Sequence, residues 1–262
     1  MKQYKILVTN DDGYEAKGLL ELVKVLKTIS EVSVTVVAPA TEKSACGHSL
    51  TLTRPLKFVG IDDDFYKLDD ATPADCIYVS LATLFEEQKP DLVVSGINKG
   101  SNMGEDITYS GTCAGAMEGV LHNVPSIAIS QVVDFSEPDV DYSLAAKTIK
   151  KVVQKVKDGS FPLPEREFLN INIPPKLREA KIVTTYAGYR FYENDVHRHI
   201  NPRGEEFFWL GLHPLAFKGR EYNKALSDYE AIEKGYISIT PVMLDMSAYK
   251  SIENLQDWCD AF

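Results

Sequence analysis

Three short apolar runs rich in β-branched residues constrain this chain most: Ile6-Leu7-Val8-Thr9, Val32 to Ala38, and Leu92-Val93-Val94-Ser95. Each opens into a polar loop of Asp, Asn, Ser or Gly. Residues 17–29 lie between the first two, with Leu19, Leu20, Leu22, Val23, Leu26 and Ile29 at helical spacing. Strand, turn, helix and strand in that order predict a parallel βαβ unit, because parallel neighbours need a crossover. The chain is expected to be α/β: a Rossmann-like, mostly parallel sheet with helices on both faces.

Further along, Thr72-Pro73 predicts a helix start, with Thr as cap and Pro in the first turn, running to about 87. Small residues from Thr112 to Leu121 and the periodic stretch from Asp141 to Val156 predict two more helices. Strands are expected at 126–130 and 168–173. Residues 49–59 and 65–69 read as a more exposed strand excursion, turning at Asp62-Asp63-Asp64. After Pro174-Pro175 the texture changes. Segments 181–187, 189–193 and 206–213 read as antiparallel strands with exposed aromatics, then a short helix at 228–234, a strand at 236–242 and a terminal helix at 248–260. The expected division is a core over 1–175 and a C-terminal hairpin and helix region over 176–262, which completes the fold.

The 262 residues carry a formal charge of −10, with 44% hydrophobic and 25% charged residues. No Lys/Arg cluster provides the basic face that a nucleic-acid polymer needs. No apolar stretch nears the ~20 residues that span a bilayer. A cytoplasmic protein is expected. Cys46, Cys76, Cys113 and Cys259 are widely spaced and read as reduced, mostly packed thiols. His122, His197, His199 and His213 have no tight zinc spacing and read as structural or surface groups; His48 stands out for its loop. Trp209 and Trp258 read as packing residues.

Four loops carry candidate chemistry. Asn10-Asp11-Asp12-Gly13 follows the first strand, where ligands bind in doubly wound sheets. Two adjacent carboxylates repel unless they turn apart or share a cation, and a divalent cation prefers oxygen ligands; a plain Asp-Gly turn would use the same residues. The polar loop 39–51 offers the Ser44 hydroxyl. Ser95-Gly96-Ile97-Asn98-Lys99-Gly100-Ser101-Asn102 sets two Asn side chains four apart in a glycine-rich loop. Tyr109-Ser110-Gly111-Thr112 opens a helix whose free N–H groups favour an anion. Each motif alone is common; four at one sheet edge can face one crevice. The turn after the first strand lacks GxGxxG, which argues against a dinucleotide-dependent oxidoreductase.

These residues resemble the SurE (survival protein E) family of 5′/3′-nucleotidases. The resemblance runs in order through residues 6–13, Val37-Ala38-Pro39 with Ser44, Thr72-Pro73-Ala74-Asp75-Cys76, and Ser95 to Asn98 with Gly100, Asn102, Gly104 and Asp106. It continues through Tyr109 to Thr112 and late in Gly235 to Pro241. It implies hydrolysis of nucleoside 5′- and 3′-monophosphates with one divalent metal per subunit, Mg²⁺ or Mn²⁺. Asp11, Asp12, Ser44 and Asn98 match the family's metal ligands, with Asp11 and Asp12 catalytic. Asn102, Ser110, Gly111 and Thr112 match its phosphate-side positions. It also implies a homodimer or homotetramer joined through C-terminal segments. Ala71, Cys113 and Ser227 depart from the family's usual Gly, Val and Thr. The rival expectation is a nucleotide-binding regulatory protein that uses the same crevice without turnover. Water and an Asp carboxylate both stand as nucleophile.

Overall fold

The computed structural model describes residues 3–134, 139–192, 195–211, 214–218 and 225–262; His213 lies outside them. The first half alternates strand and helix: β1 (Tyr4–Thr9), α1 (Lys17–Leu26), β2 (Val32–Pro39), β3 (Lys57–Asp62), β4 (Phe65–Asp69), α2 (Pro73–Ala82) and β5 (Leu92–Lys99). Then come α3 (Gly111–Leu121), β6 (Ser126–Gln131), α4 (Ser143–Asp158) and β7 (Glu167–Ile173). The remainder holds β8 (Ile182–Tyr186), β9 (Tyr189–Tyr192), β10 (Asp195–Ile200), β11 (Glu206–Gly211), β12 (Pro214–Lys218), β13 (Leu226–Ser227), α5 (Asp228–Glu233), β14 (Ile237–Met243) and α6 (Ile252–Cys259).

One ten-stranded sheet runs in the order β13-β8-β14-β7-β6-β5-β1-β2-β4-β3. Its centre is parallel: β1 pairs with β2 and β5, β5 with β6, and β6 with β7. Alternate side chains leave opposite faces of a strand, and here each face meets its own helices. Ile6 and Val8 join α1 and α4 in one buried cluster, and Leu7 joins Val37, Val93 and α2 in another. On that second side α3 packs beside α2, with Cys113, Ala116 and Val120 against Ala128 and Phe168. Both faces are therefore covered, as a nearly continuous apolar strand such as Leu92-Val93-Val94 requires. The expected α/β architecture is the one observed.

The start of α2 follows from local chemistry. The Thr72 hydroxyl accepts from Asp75 N at 3.1 Å, the Asp75 carboxylate accepts from Thr72 N at 2.9 Å, and Pro73 needs no donor. The same carboxylate explains why residues 49–56 are not the strand expected. Thr51 donates to it from both N and Oγ1 (2.8 and 2.7 Å), and the Thr72 hydroxyl donates to Ser49 O at 2.8 Å. With its polar groups met by side chains, this segment makes no ladder, and β3 begins only at Lys57. Helix α2 also ends earlier than expected, at Ala82, where Phe85 folds back into the core with its N–H on Ser80 O at 3.1 Å.

The C-terminal strands divide in two. The expected strands 189–193 and 206–213 appear as β9 and β11, each paired antiparallel outside the main sheet with a strand the sequence reading did not expect, β12 and β10. The 181–187 segment differs from expectation: β8 pairs in parallel with β14 and β13 inside the main sheet. Strand β14 also pairs antiparallel with β7, so hydrogen bonds of the sheet cross position 175. Within one chain Trp209 and Trp258 are exposed rather than packed, as are Phe207, Phe208 and Leu210. No helix among the described residues is long and apolar enough to cross a membrane.

Candidate active site

From β1 the chain crosses to β2 on one side and later to β5 on the other, so the order reverses between β1 and β5. A crevice opens at the carboxyl ends of strands at such a point. Asn10-Asp11-Asp12 leaves β1 there, and Asn98 lies near the end of β5. Register gaps in the β5–β6 pairing between Ser95 and Asn98 mark where β5 bends away from the ladder.

Asp11 is buried, and Thr112 Oγ1 donates to its Oδ1 at 2.5 Å, tying the first loop to the start of α3. Its carbonyl accepts from Lys43 N at 2.7 Å, which pins the residue beside Ser44 to the site. Asp12 is half-buried, and its Oδ2 accepts from Lys99 N at 2.9 Å, one residue past Asn98. Asn98 Nδ2 donates to Gly100 O at 3.0 Å, so its amide oxygen is the side-chain atom that could accept a cation. Ser110 caps α3, its hydroxyl accepting from Cys113 N at 2.9 Å. The structure thus gathers Asp11, Asp12, Gly111 and Thr112, with Asn98 bonded through its neighbour. Ser44 stands at the rim: it is exposed, and its hydroxyl donates to Glu42 at 2.8 Å.

Asn102 is held differently. Its N–H donates to Asn172 Oδ1 at 2.9 Å, its carbonyl accepts from Asn170 and Asn172 (2.7 and 3.0 Å), and its Nδ2 donates to Ser130 Oγ at 2.8 Å. Sequence reading missed these three supports. The available signal was Asn170 and Asn172 alternating with apolar residues in a buried strand, where an amide needs a partner. Also missed were two contacts of the 39–51 loop. His48 Nε2 lies 2.7 Å from Glu118 Oε2, on a carboxylate that also meets His122 at 3.0 Å. The Cys46 thiol stands close enough to Gly111 that an added Cβ there would sit 3.1 Å from its sulfur.

The donor set suits a hard divalent cation, since it is all oxygen: two carboxylates, an amide and a hydroxyl. No group of three or more His, Cys, Asp or Glu gathers to hold a metal among the described residues, so neutral oxygens must complete such a site. The cradle is also shaped by glycine, because a Cβ on Gly111 would fall 2.8 Å from Asp11 Cβ and 3.0 Å from its Oδ2. Beside it, Asn10 donates to Gly13 O at 2.8 Å, while its own side-chain oxygen is buried without a hydrogen-bond partner.

Burial pushes both Asp11 and Asp12 up, and the Asp11 charge adds to burial in taking Asp12 from 3.8 to about 6. A carboxyl raised on folding binds its proton more tightly in the native state. Its contribution is therefore greatest below the ordinary 3.8 and is lost as pH rises through about 6. The gap corresponds to roughly 3 kcal/mol. The cation-free protein is expected to lose thermal stability across that window more steeply than Asp12→Asn, and a divalent cation added above it should restore the loss. Thermal melts at stepped pH decide this; parallel curves for the two proteins would remove Asp12 as the source of strain.

The sequence matches the family model described as survival protein SurE over residues 6–194. A protein named 5′-nucleotidase SurE from Sulfurimonas denitrificans is 70% identical over 263 residues, spanning 98% of this chain and 100% of that one. One of the same name from Aliarcobacter butzleri is 54% identical over 260 residues, spanning 97% and 98%. The crystal structure of the SurE protein from Aquifex aeolicus matches the fold with a TM-score of 0.81 at 41% identity, covering 97% of this chain and 99% of that one. With a shared fold and relatives aligned nearly end to end, this chain belongs to the SurE family.

Proposed function

We propose that the protein is a metal-dependent 5′-nucleotidase that hydrolyses nucleoside 5′- and 3′-monophosphates to nucleoside and phosphate. One observation carries the reading: of two adjacent carboxylates, Asp11 is buried and bonded to Thr112 in the first turn of α3, and Asp12 stands half-buried beside it. A phosphate binder alone gains little from two carboxylates, whereas a metal-dependent phosphatase uses them to hold a cation beside its anion site. Asp11, Asp12, Asn98 and a Ser44 hydroxyl turned from Glu42 would hold one ion per subunit, Mg²⁺ or Mn²⁺. When bound, it supplies Lewis-acid chemistry, offsetting phosphoryl charge and acidifying water.

This chain's own groups do the rest. The Gly111 N–H and the Ser110 hydroxyl meet phosphoryl oxygens beside Thr112, whose own hydroxyl is given to Asp11, and Asn102 meets them from the other side. Asp12 is the less buried of the two carboxylates and has Oδ1 free beside the Oδ2 that Lys99 N holds, and it orients the attacking water and takes its proton. Water oxygen bonds to phosphorus, the P–O ester bond breaks, and the nucleoside oxygen leaves with the proton that Asp12 took from the water. The exposed aromatic faces of β11 and α6 exceed what a lone chain gains from leaving them in water. They support assembly of a homodimer or homotetramer through residues 176–262.

Chelator-stripped protein is expected to release no phosphate from 5′-AMP and to recover turnover with Mn²⁺ or Mg²⁺. Colorimetric phosphate release checks this. Failure under either metal, with 5′-AMP and with an aryl phosphate, would favour a non-catalytic nucleotide binder instead.

A further inference from the structure

The proposed phosphate groups come from two places, Asn102 on one side and Ser110 to Thr112 on the other. Residues 103–109 join them, and most of that stretch is a single 3-10 turn, Gly104–Thr108. Such a turn does not fix its own path, since it is short and its hydrogen-bond geometry is poor. Its anchors come from the far end of the chain. Asp228, fully buried at the start of α5, accepts from Gly104 N at 2.6 Å and also from Gly188 N and Tyr229 N, both at 3.0 Å. The Tyr229 hydroxyl donates to Met103 O at 2.9 Å, and its ring stacks on Phe217 with centroids 4.8 Å apart. Arg190 N donates to Glu105 Oε2 at 3.0 Å, and the Arg190 guanidinium pairs with Asp106.

The fit is close. Gly104 has φ +55°, and a Cβ there would lie 2.6 Å from Gly188 O and 2.7 Å from the Tyr229 ring. A carboxylate that collects three backbone N–H groups from three separate segments fixes their relative positions. We infer that Asp228 and Tyr229 are positioning residues for the phosphate side of the site, setting the path of residues 103–109 so that Asn102 and Ser110 face one phosphoryl group. Neither touches substrate; each acts through the backbone of Met103 and Gly104. The inference rests on the nucleotidase reading above.

The test compares wild type with Tyr229→Phe, Asp228→Asn and a control, Thr185→Val. Thr185 lies in the same C-terminal region, and its hydroxyl bonds to Ser238 and Thr240 rather than to the 103–109 turn. The readouts are KM and kcat for 5′-AMP at saturating Mn²⁺, the competitive inhibition constant of inorganic phosphate, and the melting temperature. Tyr229→Phe loses one hydroxyl and keeps its stacked ring. It should raise the phosphate inhibition constant and KM by roughly fivefold, as for one lost hydrogen bond. Asp228→Asn should lower kcat/KM by about tenfold or more, as misplaced binding groups do. Thr185→Val should melt earlier with its phosphate inhibition constant unchanged. If Tyr229→Phe and Asp228→Asn only melt earlier, with wild-type KM and phosphate inhibition per folded molecule, the positioning role is wrong. If Asp228→Asn does not fold, Tyr229→Phe decides alone. A wild type without turnover would overturn the nucleotidase reading and this inference together, whereas an active wild type with unaltered variants overturns only this one.

Discussion

Asp12→Asn is expected to fold normally and to lose roughly a thousandfold in kcat/KM for 5′-AMP, about 4 kcal/mol of transition-state stabilisation. The substitution keeps size and shape, and the Asn carbonyl oxygen can still accept from Lys99 N, the bond Asp12 makes at 2.9 Å. What disappears is one negative charge at a place where burial and Asp11 already oppose it. The cation-free variant should therefore melt no lower than wild type near neutral pH. Losing the charge should at once weaken divalent-cation binding and remove the proposed proton acceptor. Steady-state kinetics, a calorimetric Mn²⁺ titration and a thermal melt separate these effects. Turnover within threefold of wild type would remove Asp12 from the mechanism; a collapse in stability would make its role structural.

Gly18→Ala should cost about 3 kcal/mol or more of stability, at the upper end of overpacking effects. An added Cβ would sit 2.1 Å from Ile97 O and 3.1 Å from Ile97 C, with the Tyr142 ring 3.2 Å away. Two of those atoms are backbone, so no side-chain rotation relieves the contact. Helix α1 would have to lift from β5, opening the cluster that Leu19, Leu22 and Leu26 fill. The helix-propensity gain of Ala over Gly, about 1 kcal/mol, is too small to offset this. Because Ile97 precedes Asn98, cation affinity should weaken as well. Urea unfolding measures the first effect and calorimetric titration the second. An unchanged urea midpoint would mean that α1 slides on the sheet at little cost.

Much of this architecture was legible locally. The helix periodicity at Leu19, Leu22, Val23 and Leu26 marks the buried face of α1, and Thr72-Pro73 with Asp75 caps α2 with groups three residues apart. The runs at β1, β2 and β5 could only be buried strands, and their following loops had to share an edge once the strands ran parallel. The candidate site residues were legible for the same reason, since each follows a strand or opens a helix. The segment 49–56 was misread because the sequence does not show that Asp75, two dozen residues away, takes its polar groups.

The sequence by itself determined element type, helix starts and the side of the sheet on which chemistry gathers, because these follow from interactions within a few residues and from the side-chain periods of strand and helix. Only the tertiary structure decided that β14 inserts between β7 and β8, that Asn170 and Asn172 carry Asn102, and that Asp228 reaches Gly104 across more than a hundred residues. Strand partners and buried polar contacts are chosen by closing long loops against chain entropy, and that choice belongs to the assembled core rather than to any stretch of sequence.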